Sequence, residues 1–119
     1  MRESGEDYIE TIYLLLKKQK EVHAKDIADE LSYSKPSITR AMNILKAKGL
    51  IVVDQLNHIT LTKQGLAIAE TVYEKHKSIT EFLTILGVSL TNAEKDACRI
   101  EHVLSDESFN CIKSFISKK

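Results

Sequence analysis

The order of apolar and polar positions predicts a chain made mostly of amphipathic helices, with one short region of β-structure. Apolar residues recur at the spacing of an α-helix in six segments. The predicted helices run from Ser4 to about Lys20, from Ala24 to Leu31, from Ser34 to Gly49, from Thr62 to Gly87, from Thr91 to about Leu104, and from Ser105 or Asp106 onward. Between the third and fourth helices, two β-branched runs at 51–53 and 59–61 predict a hairpin.

A tight turn separates the second and third predicted helices. Residues 32–34 form this turn, and the Ser34 hydroxyl is suited to cap the third helix by accepting from a free amide of its first turn. Pro36 lies in that first turn, where its missing amide costs little, and Gly49 marks the helix end. Helix, short helix, turn, helix and hairpin follow one another in the order of a winged helix-turn-helix.

Length and composition are those of one ordinary globular domain. The chain has 119 residues, 43% of them hydrophobic, and its 17 basic and 17 acidic residues give a net charge of zero. Its apolar runs are too short to span a bilayer, its first residues hold no secretory signal, and two cysteines cannot build a disulfide framework. We therefore expect a cytoplasmic protein, and the length excludes a multidomain enzyme.

Charge is distributed unevenly, with a basic middle between acidic flanks. Residues 32–65 contain five basic residues and one acidic residue, Asp54. A local excess of positive charge is typical of a nucleic-acid interface. The start of the third helix adds hydroxyl side chains and an arginine, which contact phosphates and base edges. The predicted DNA-binding residues are Ser34, Lys35, Pro36, Ser37, Thr39 and Arg40.

Two other interpretations of this segment remain open. The chain can be a helical bundle with a surface hairpin, in which the basic face is only solvated. Winged helices also bind proteins, so the fold alone does not establish DNA binding. Periodicity, charge and turn chemistry agree with one another, which favours DNA binding.

Side chains that bind metal ions recur at helical spacing outside this segment. Two carboxylates lie one turn apart in the first helix, a histidine lies in the long fourth helix, and a thiol, a carboxylate and an imidazole follow on one face of the fifth. These residues are Asp7, Glu10, His76, Cys98, Glu101 and His102. Taken alone, each is more often a solvated or core residue. Together they offer oxygen, nitrogen and sulfur donors, which suit a divalent transition ion better than magnesium or calcium.

Longer strings of residues carry a resemblance to a known family. They are Glu6-Asp7-Tyr8-Ile9-Glu10-Thr11-Ile12-Tyr13, Ala28-Asp29-Glu30-Leu31, Ser34-Lys35-Pro36-Ser37-Ile38-Thr39, Leu61-Thr62-Lys63-Gln64-Gly65, His76, and Ala97-Cys98-Arg99-Ile100-Glu101-His102-Val103-Leu104-Ser105. With them the sequence resembles, over nearly its whole length, the DtxR/MntR family of metal-activated transcriptional repressors. The last string, with its Glu-His pair, is the most specific.

The resemblance implies that all six donors are metal ligands. Those that match the manganese branch of the family are Asp7 and Glu10, and those that match ligands of the family in general are His76, Glu101 and His102. Cys98 stands where the iron-responsive branch has cysteine and the manganese branch usually has glutamate. Asp7 thus favours Mn(II), whereas Cys98, through its sulfur or its backbone carbonyl, keeps Fe(II) open.

Two positions depart from the iron-responsive branch. Thr80 stands where that branch has a glutamate, and Glu94 stands where it has a histidine, so the ancillary metal site of that branch is not expected here. A second ion beside the first, with Glu10, His76 and Glu101 as its ligands, stays open. The chain ends at Lys119, and we expect neither the SH3-like domain of longer members nor the extra C-terminal helix of the manganese type.

The residues and the resemblance together predict a mainly α fold in two parts. We expect a winged helix-turn-helix DNA-binding domain over 1–62, followed by an all-α dimerisation and metal-binding domain over 63–119. The resemblance implies a homodimer formed through the fourth to sixth helices. Metal is expected to bridge the first helix to the fourth and fifth, which fixes the position of the DNA-binding part relative to the dimer. The two recognition helices then match the half-sites of a palindromic operator in double-stranded DNA.

The predicted function is metal-activated repression of metal-uptake genes, in response to Mn(II) or, as the alternative, Fe(II). Neither a membrane nor a small-molecule substrate is expected as a partner. A hydrolase, in which Glu101 beside His102 activates water at a bound metal, is the rival enzyme class. It is disfavoured because the sequence shows no phosphate loop, nucleophile motif or substrate-sized cleft. A metal-independent winged-helix adaptor is the third interpretation.

Overall fold

The computed structural model describes residues 5–118 and is mainly α-helical, as the sequence predicts. Its elements are α1 (Gly5–Lys18), α2 (Ala24–Leu31), α3 (Lys35–Ala47), β1 (Ile51–Val53), β2 (Ile59–Leu61), α4 (Lys63–Ile85), α5 (Leu90–Ile100) and α6 (Asp106–Ser117). The predicted start of α1 at Ser4 lies outside the described residues. The chain forms two compact units, one ending at Glu70 and one beginning at Thr71, within α4.

The first unit has an aliphatic core to which α1, α2, α3 and the hairpin contribute. Its fully buried members include Ile9, Ile12, Val22, Ile27 and Ile38. α1 contacts α2, α3 and β2, and α2 packs on α3. Burial of one such side chain contributes roughly 1.5–3 kcal/mol of hydrophobic stabilisation. The core therefore holds one face of α3 firmly and leaves the opposite face in solvent.

The turn between α2 and α3 has the predicted chemistry. Ser32 adopts the left-handed conformation with φ 59°, and its amide donates to the Ala28 carbonyl. The Ser34 hydroxyl caps α3 by accepting from the Ser37 amide at 3.3 Å. Gly49 follows α3 with φ 76°, a conformation that costs glycine little. The predicted cap and terminator of α3 are thus confirmed.

The predicted hairpin is confirmed as an antiparallel pair in which Ile51 faces Leu61. Ile51 and Ile59 are buried, whereas Val52 is exposed, so side chains alternate between core and solvent as a strand requires. The amide of Ile59 also donates to the Val22 carbonyl at 2.7 Å, which ties the loop between α1 and α2 to the hairpin.

Residues Leu61 to Gly65 form the junction between β2 and α4, and the contacts of this junction explain why these residue types occur there. The Thr62 hydroxyl donates to the Gly49 carbonyl at 2.8 Å and accepts from the Gly65 amide at 3.1 Å. A Cβ at Gly65 would overlap the carbonyl oxygen of Leu50, so only glycine fits there without a backbone shift. The junction therefore holds the first turn of α4 against the residues that flank the hairpin.

The second unit consists of the later turns of α4 together with α5 and α6. Its buried hydrophobic residues are Val72, Ile79, Ala93, Ala97 and Phe109. The rings of Phe82 and Phe115 meet edge to face with centroids 5.6 Å apart. Large apolar side chains nevertheless remain exposed, namely Leu86, Leu90 and Phe115. Among residues 5–118, no helix has the length and apolar character needed to cross a bilayer.

The predicted limits of α5 were wrong at both ends. The helix begins at Leu90 instead of Thr91, because the Ser89 hydroxyl accepts from the Asn92 amide at 3.3 Å and caps the first turn. It ends at Ile100 instead of near Leu104, and the amides of His102 and Val103 bond to carbonyls only three residues back. At α6 the choice between Ser105 and Asp106 is resolved, with Ser105 as the cap.

Candidate metal centre and nucleic-acid interface

A buried carboxylate lies between two imidazoles in the second unit. α4 positions His76, and the tightened turn after α5 positions Glu101 and His102. Glu101 Oε1 lies 3.0 Å from His76 Nδ1, a distance at which the imidazole donates to the carboxylate. Glu101 Oε2 lies 3.4 Å from His102 Nε2. The Glu101 side chain has no exposed surface, and both imidazoles are largely covered. Three of the six predicted ligands are therefore brought together within one unit.

Glu101 directly follows the last residue of α5, and its amide still bonds to the Ala97 carbonyl at 2.9 Å. The His102 amide bonds to the Arg99 carbonyl at 3.4 Å, and the Val103 amide bonds to the Ile100 carbonyl at 3.0 Å. These shorter-range bonds tighten the chain after the last helical residue. Cys98, still within the helix, is exposed. Cys98 thus differs in exposure from the buried Glu101, three residues further on, although the Glu101 backbone still has helical φ and ψ of −59° and −24°.

The chemistry of this cluster fits a divalent transition ion. Glu101 Oε2 is buried and has no hydrogen-bond partner in the part of the chain that the structure describes. A buried carboxylate oxygen left in this state is costly unless a cation or a donor satisfies it. Oxygen and imidazole nitrogen donors together suit ions such as Mn(II), Fe(II) or Zn(II). The residues present therefore fit the metal that the resemblance implies.

The two remaining carboxylates of the predicted set belong to α1 in the first unit. Glu10 is only 8% exposed, which is unusual for a glutamate on a helix surface. Asp7 is half-buried in the first turn of α1, where the helix dipole favours a negative charge. Thr11 donates from its hydroxyl to the Asp7 carbonyl at 2.8 Å. One turn of helix thus separates the two acidic side chains, as predicted.

The positions that depart from the iron-responsive branch also differ in environment. Thr80 is buried on α4, one turn beyond His76, and its hydroxyl has no hydrogen-bond partner among residues 5–118. Glu94 is exposed on α5. A threonine hydroxyl is a much weaker metal donor than a carboxylate, so Thr80 does not replace the glutamate of that branch.

The exposed face of α3 forms a candidate nucleic-acid interface. Most of the predicted DNA-binding residues are exposed, whereas Ile38 and Met42 on the opposite face are buried. Ser34 and Ser37 bond to each other through their hydroxyls at 3.0 Å, so both also serve the helix cap. A shallow depression of about 500 Å³ is lined by Lys35, Pro36, Thr39, Arg40 and Asn43. Asn43 was missed from sequence, although its position one turn after Thr39 could have indicated it.

The wing between β1 and β2 is held by one carboxylate. Asp54 Oδ1 accepts from the amides of Leu56 and His58, each at 2.9 Å. Hydrogen bonding from the His58 amide is the largest cause that lowers the pKa of Asp54 below its ordinary value. His58 Nε2 also lies 3.5 Å from a Glu21 carboxylate oxygen. The tip residue Leu56 is 71% exposed, so the wing presents an apolar side chain to solvent.

Comparison with known proteins matches the two halves of the chain separately. Residues 1–59 match the N-terminal DNA-binding domain of iron-dependent repressors, and residues 62–118 match their metal-binding and dimerisation domain. A helix-turn-helix-type transcriptional regulator of Methanocaldococcus jannaschii is 34% identical over 99% of this chain and 96% of its own length. The chain belongs to the DtxR/MntR family. Both family domains, the DNA-binding domain and the metal-binding and dimerisation domain, are present in it.

Other relatives in the DtxR/MntR family place the chain among metal-dependent transcriptional regulators. The transcriptional regulator MntR of Escherichia coli is 32% identical over 98% of this chain and 76% of its own length. The structure of the manganese regulator SloR matches all of this chain with a TM-score of 0.86 and 28% identity. The chain covers 56% of SloR, so it spans a little over half of that structure.

Proposed function

We propose that this chain is a repressor of metal-uptake genes that binds operator DNA as a homodimer when Mn(II) is bound, with Fe(II) as the alternative ion. The observation that carries the proposal is the Glu101 carboxylate, which is fully buried between His76 and His102. Membership of the DtxR/MntR family and the likeness to a manganese regulator support the choice of metal.

The proposed metal ligands are the six donors predicted from the sequence. They are Asp7, Glu10, His76, Cys98, Glu101 and His102. Burial supports Glu101 and Glu10 most strongly, because a buried carboxylate needs a compensating cation or donor. The Cys98 side chain is exposed. Cys98 can bind the ion through its sulfur or through its backbone carbonyl, and Cys98→Ala distinguishes the two because it removes only the sulfur.

We assign a different function to each of the two family domains. Residues 1–62 bind DNA through α3 and the wing, and residues 63–119 carry the dimer interface and most metal ligands. The residues proposed to contact DNA are Ser34, Lys35, Pro36, Ser37, Thr39 and Arg40. The exposed apolar residues of the second unit support dimerisation, because large exposed apolar side chains on a small domain mark interaction surfaces.

The proposed mechanism is a shift in population between two states of the same fold. A bound ion supplies the positive charge that the carboxylates of the ligand set otherwise lack. Without that charge, Asp7, Glu10 and Glu101 repel one another, and the DNA-binding arrangement is less populated. A ligand changes such an equilibrium only through its different affinity for the two states. Glu101 and His76 hold each other in position, which prepares part of the site in advance.

The first test is an anaerobic DNA-binding titration. Fluorescently labelled duplexes from the gene's own upstream region and from that of a metal transporter are titrated with the protein, with Mn(II), Fe(II) or Zn(II) added separately. We expect binding to appear with Mn(II) or Fe(II) and to be reversed by a chelator. Asp7→Ala abolishes the metal response, whereas the control Asp96→Ala, an exposed carboxylate of α5, retains it.

The other interpretations make different predictions in the same titration. A lower midpoint for Fe(II) than for Mn(II) identifies an iron-responsive repressor. DNA binding that ignores metal, or no DNA binding, identifies the adaptor and removes the metal role of the six residues. We propose a regulator instead of an enzyme, since the relatives are transcriptional regulators. A cytoplasmic location follows from this function.

A further inference from the structure

The exposed stripe on α3 is longer than the set of DNA-binding residues that the sequence indicates. Pro36, Thr39, Arg40 and Asn43 line one shallow surface together with Lys35. Their positions differ by three, four and seven residues, which places them on one helical face over two turns. A homeodomain recognition helix contacts the major groove from positions with the same spacing. Asn43 therefore lies within the surface that faces DNA when α3 enters a groove.

The size of α3 also suits the groove. An α-helix with its side chains is about 10–12 Å across, and the major groove of B-form DNA is about 12 Å wide. The buried residues Ile38, Met42 and Leu45 hold the opposite face of α3 against the core, so the helix cannot rotate Asn43 away from this surface.

The side chain of Asn43 is chemically ready for base recognition. Within the part of the chain that the structure describes, its amide has no hydrogen bond or ion pair, whereas the hydroxyls of Ser34 and Ser37 bond to each other. An asparagine amide offers one donor and one acceptor side by side, and this pair matches N6 and N7 of adenine in the major groove. Lys35 and Arg40 instead offer only donors, which suit phosphate or guanine.

We propose that Asn43 recognises an adenine in each half-site of the operator and determines the base preference at that position. The inference rests on the DNA-binding function proposed above and adds a specificity-determining residue to it. Because the contact is made by an amide, it discriminates between bases, whereas a lysine that contacts a phosphate weakens binding to all sequences alike.

The experiment is selection from a random pool of DNA duplexes by the full chain with Mn(II), followed by sequencing of the bound fraction. The wild-type protein is expected to select adenine at one position of each half-site. Asn43→Ala loses the preference at that position only, and its affinity for the wild-type site falls about fivefold to 150-fold. Asn43→Asp changes the preference from adenine to cytosine, because a carboxylate accepts from the cytosine N4 amino group.

The control is Asn92→Ala, which removes the same amide from an exposed position on α5 and is expected to leave every base preference unchanged. Thermal melting checks that all variants are folded. The proposal is overturned if both Asn43 variants keep the wild-type base preferences, or if the wild-type protein selects no sequence. Selection that occurs equally without Mn(II) contradicts the proposed metal response but still tests Asn43, so the two failures are distinguishable.

Discussion

Replacement of Glu101 by glutamine separates the cost of a buried charge from its use in metal binding. Glutamine has nearly the same shape, and its amide oxygen can still accept from His76 Nδ1, which lies 3.0 Å from the carboxylate in the wild-type protein. The substitution removes the negative charge from a side chain that has no exposed surface. Metal-free Glu101→Gln is therefore expected to be at least as stable as the wild type, because a negative charge is removed from a buried group whose Oε2 has no hydrogen-bond partner among the described residues.

The expected magnitudes follow from burial and from linkage. An unsatisfied buried polar group costs about 1–3 kcal/mol. This cost is the upper limit for the increase in the free energy of unfolding of the metal-free variant. Metal at 100 times its dissociation constant adds about 2.7 kcal/mol to the free energy of unfolding of a protein that binds it only when folded. For a chain of this size, that corresponds to a rise in Tm of roughly 8–16 °C. Glu101→Gln is expected to lose most of this rise.

The assay is thermal melting followed by circular dichroism, with chelator and then with increasing Mn(II). The matched control is Glu94→Gln, which makes the same chemical change at an exposed position of α5 and should preserve the metal-induced rise. A Glu101→Gln protein with an undiminished rise would refute a ligand role for the carboxylate. A metal-free variant that melts well below the wild type would refute the inference that the buried charge is a burden without metal.

Three further predictions concern the first unit. Ile38→Ala removes a fully buried side chain and should lower the free energy of unfolding by about 2–5 kcal/mol in urea denaturation; a loss well below 1 kcal/mol would contradict the described core. Gly65→Ala places a Cβ against the Leu50 carbonyl and should lower Tm, whereas Gly5→Ala meets only ordinary contact distances and should not. The pKa of Asp54 lies below its ordinary 3.8, so its ionised form stabilises the wing above about pH 4. This stabilisation should be lost as pH falls through the lowered pKa. An NMR titration that follows signals of the wing should show this change in the wild type and no change in Asp54→Asn.

The fold was predictable because its elements are specified locally. Ser34 and Gly49 lie where capping and termination chemistry requires them, and the hairpin follows from two β-branched runs. The start of α5 was predicted wrongly because two capping candidates, Ser89 and Thr91, stand close together. Both are hydroxyl residues, and only the backbone geometry around them decides which one accepts from a free amide.

The candidate site was predictable in its residue types but not in its environments. Helical periodicity indicated the spacing of Cys98 and Glu101, but it could not show that Glu101 is buried whereas Cys98 is exposed. Burial of Glu101 depends on tertiary packing and is invisible in the local sequence. Asn43 was missed although its spacing from Thr39 was visible in the sequence, because the candidate residues were taken only from the start of α3; the structure shows that Asn43 shares a surface with Arg40.

The different burial of the two sets of functional residues makes them separable by experiment. Arg40 and Asn43 are exposed, so their replacement should change DNA binding while leaving the free energy of unfolding within about 0.5 kcal/mol. Glu101 is buried, so its replacement must change both the stability of the metal-free protein and its response to metal. α3 variants that lower DNA affinity but keep the metal-induced rise in Tm, together with a Glu101 variant that loses both the rise and metal-dependent DNA binding, would show that base recognition is a separate step that depends on ion binding. If every exposed α3 variant also altered the metal-induced rise in Tm, ion binding and base recognition could not be separate steps.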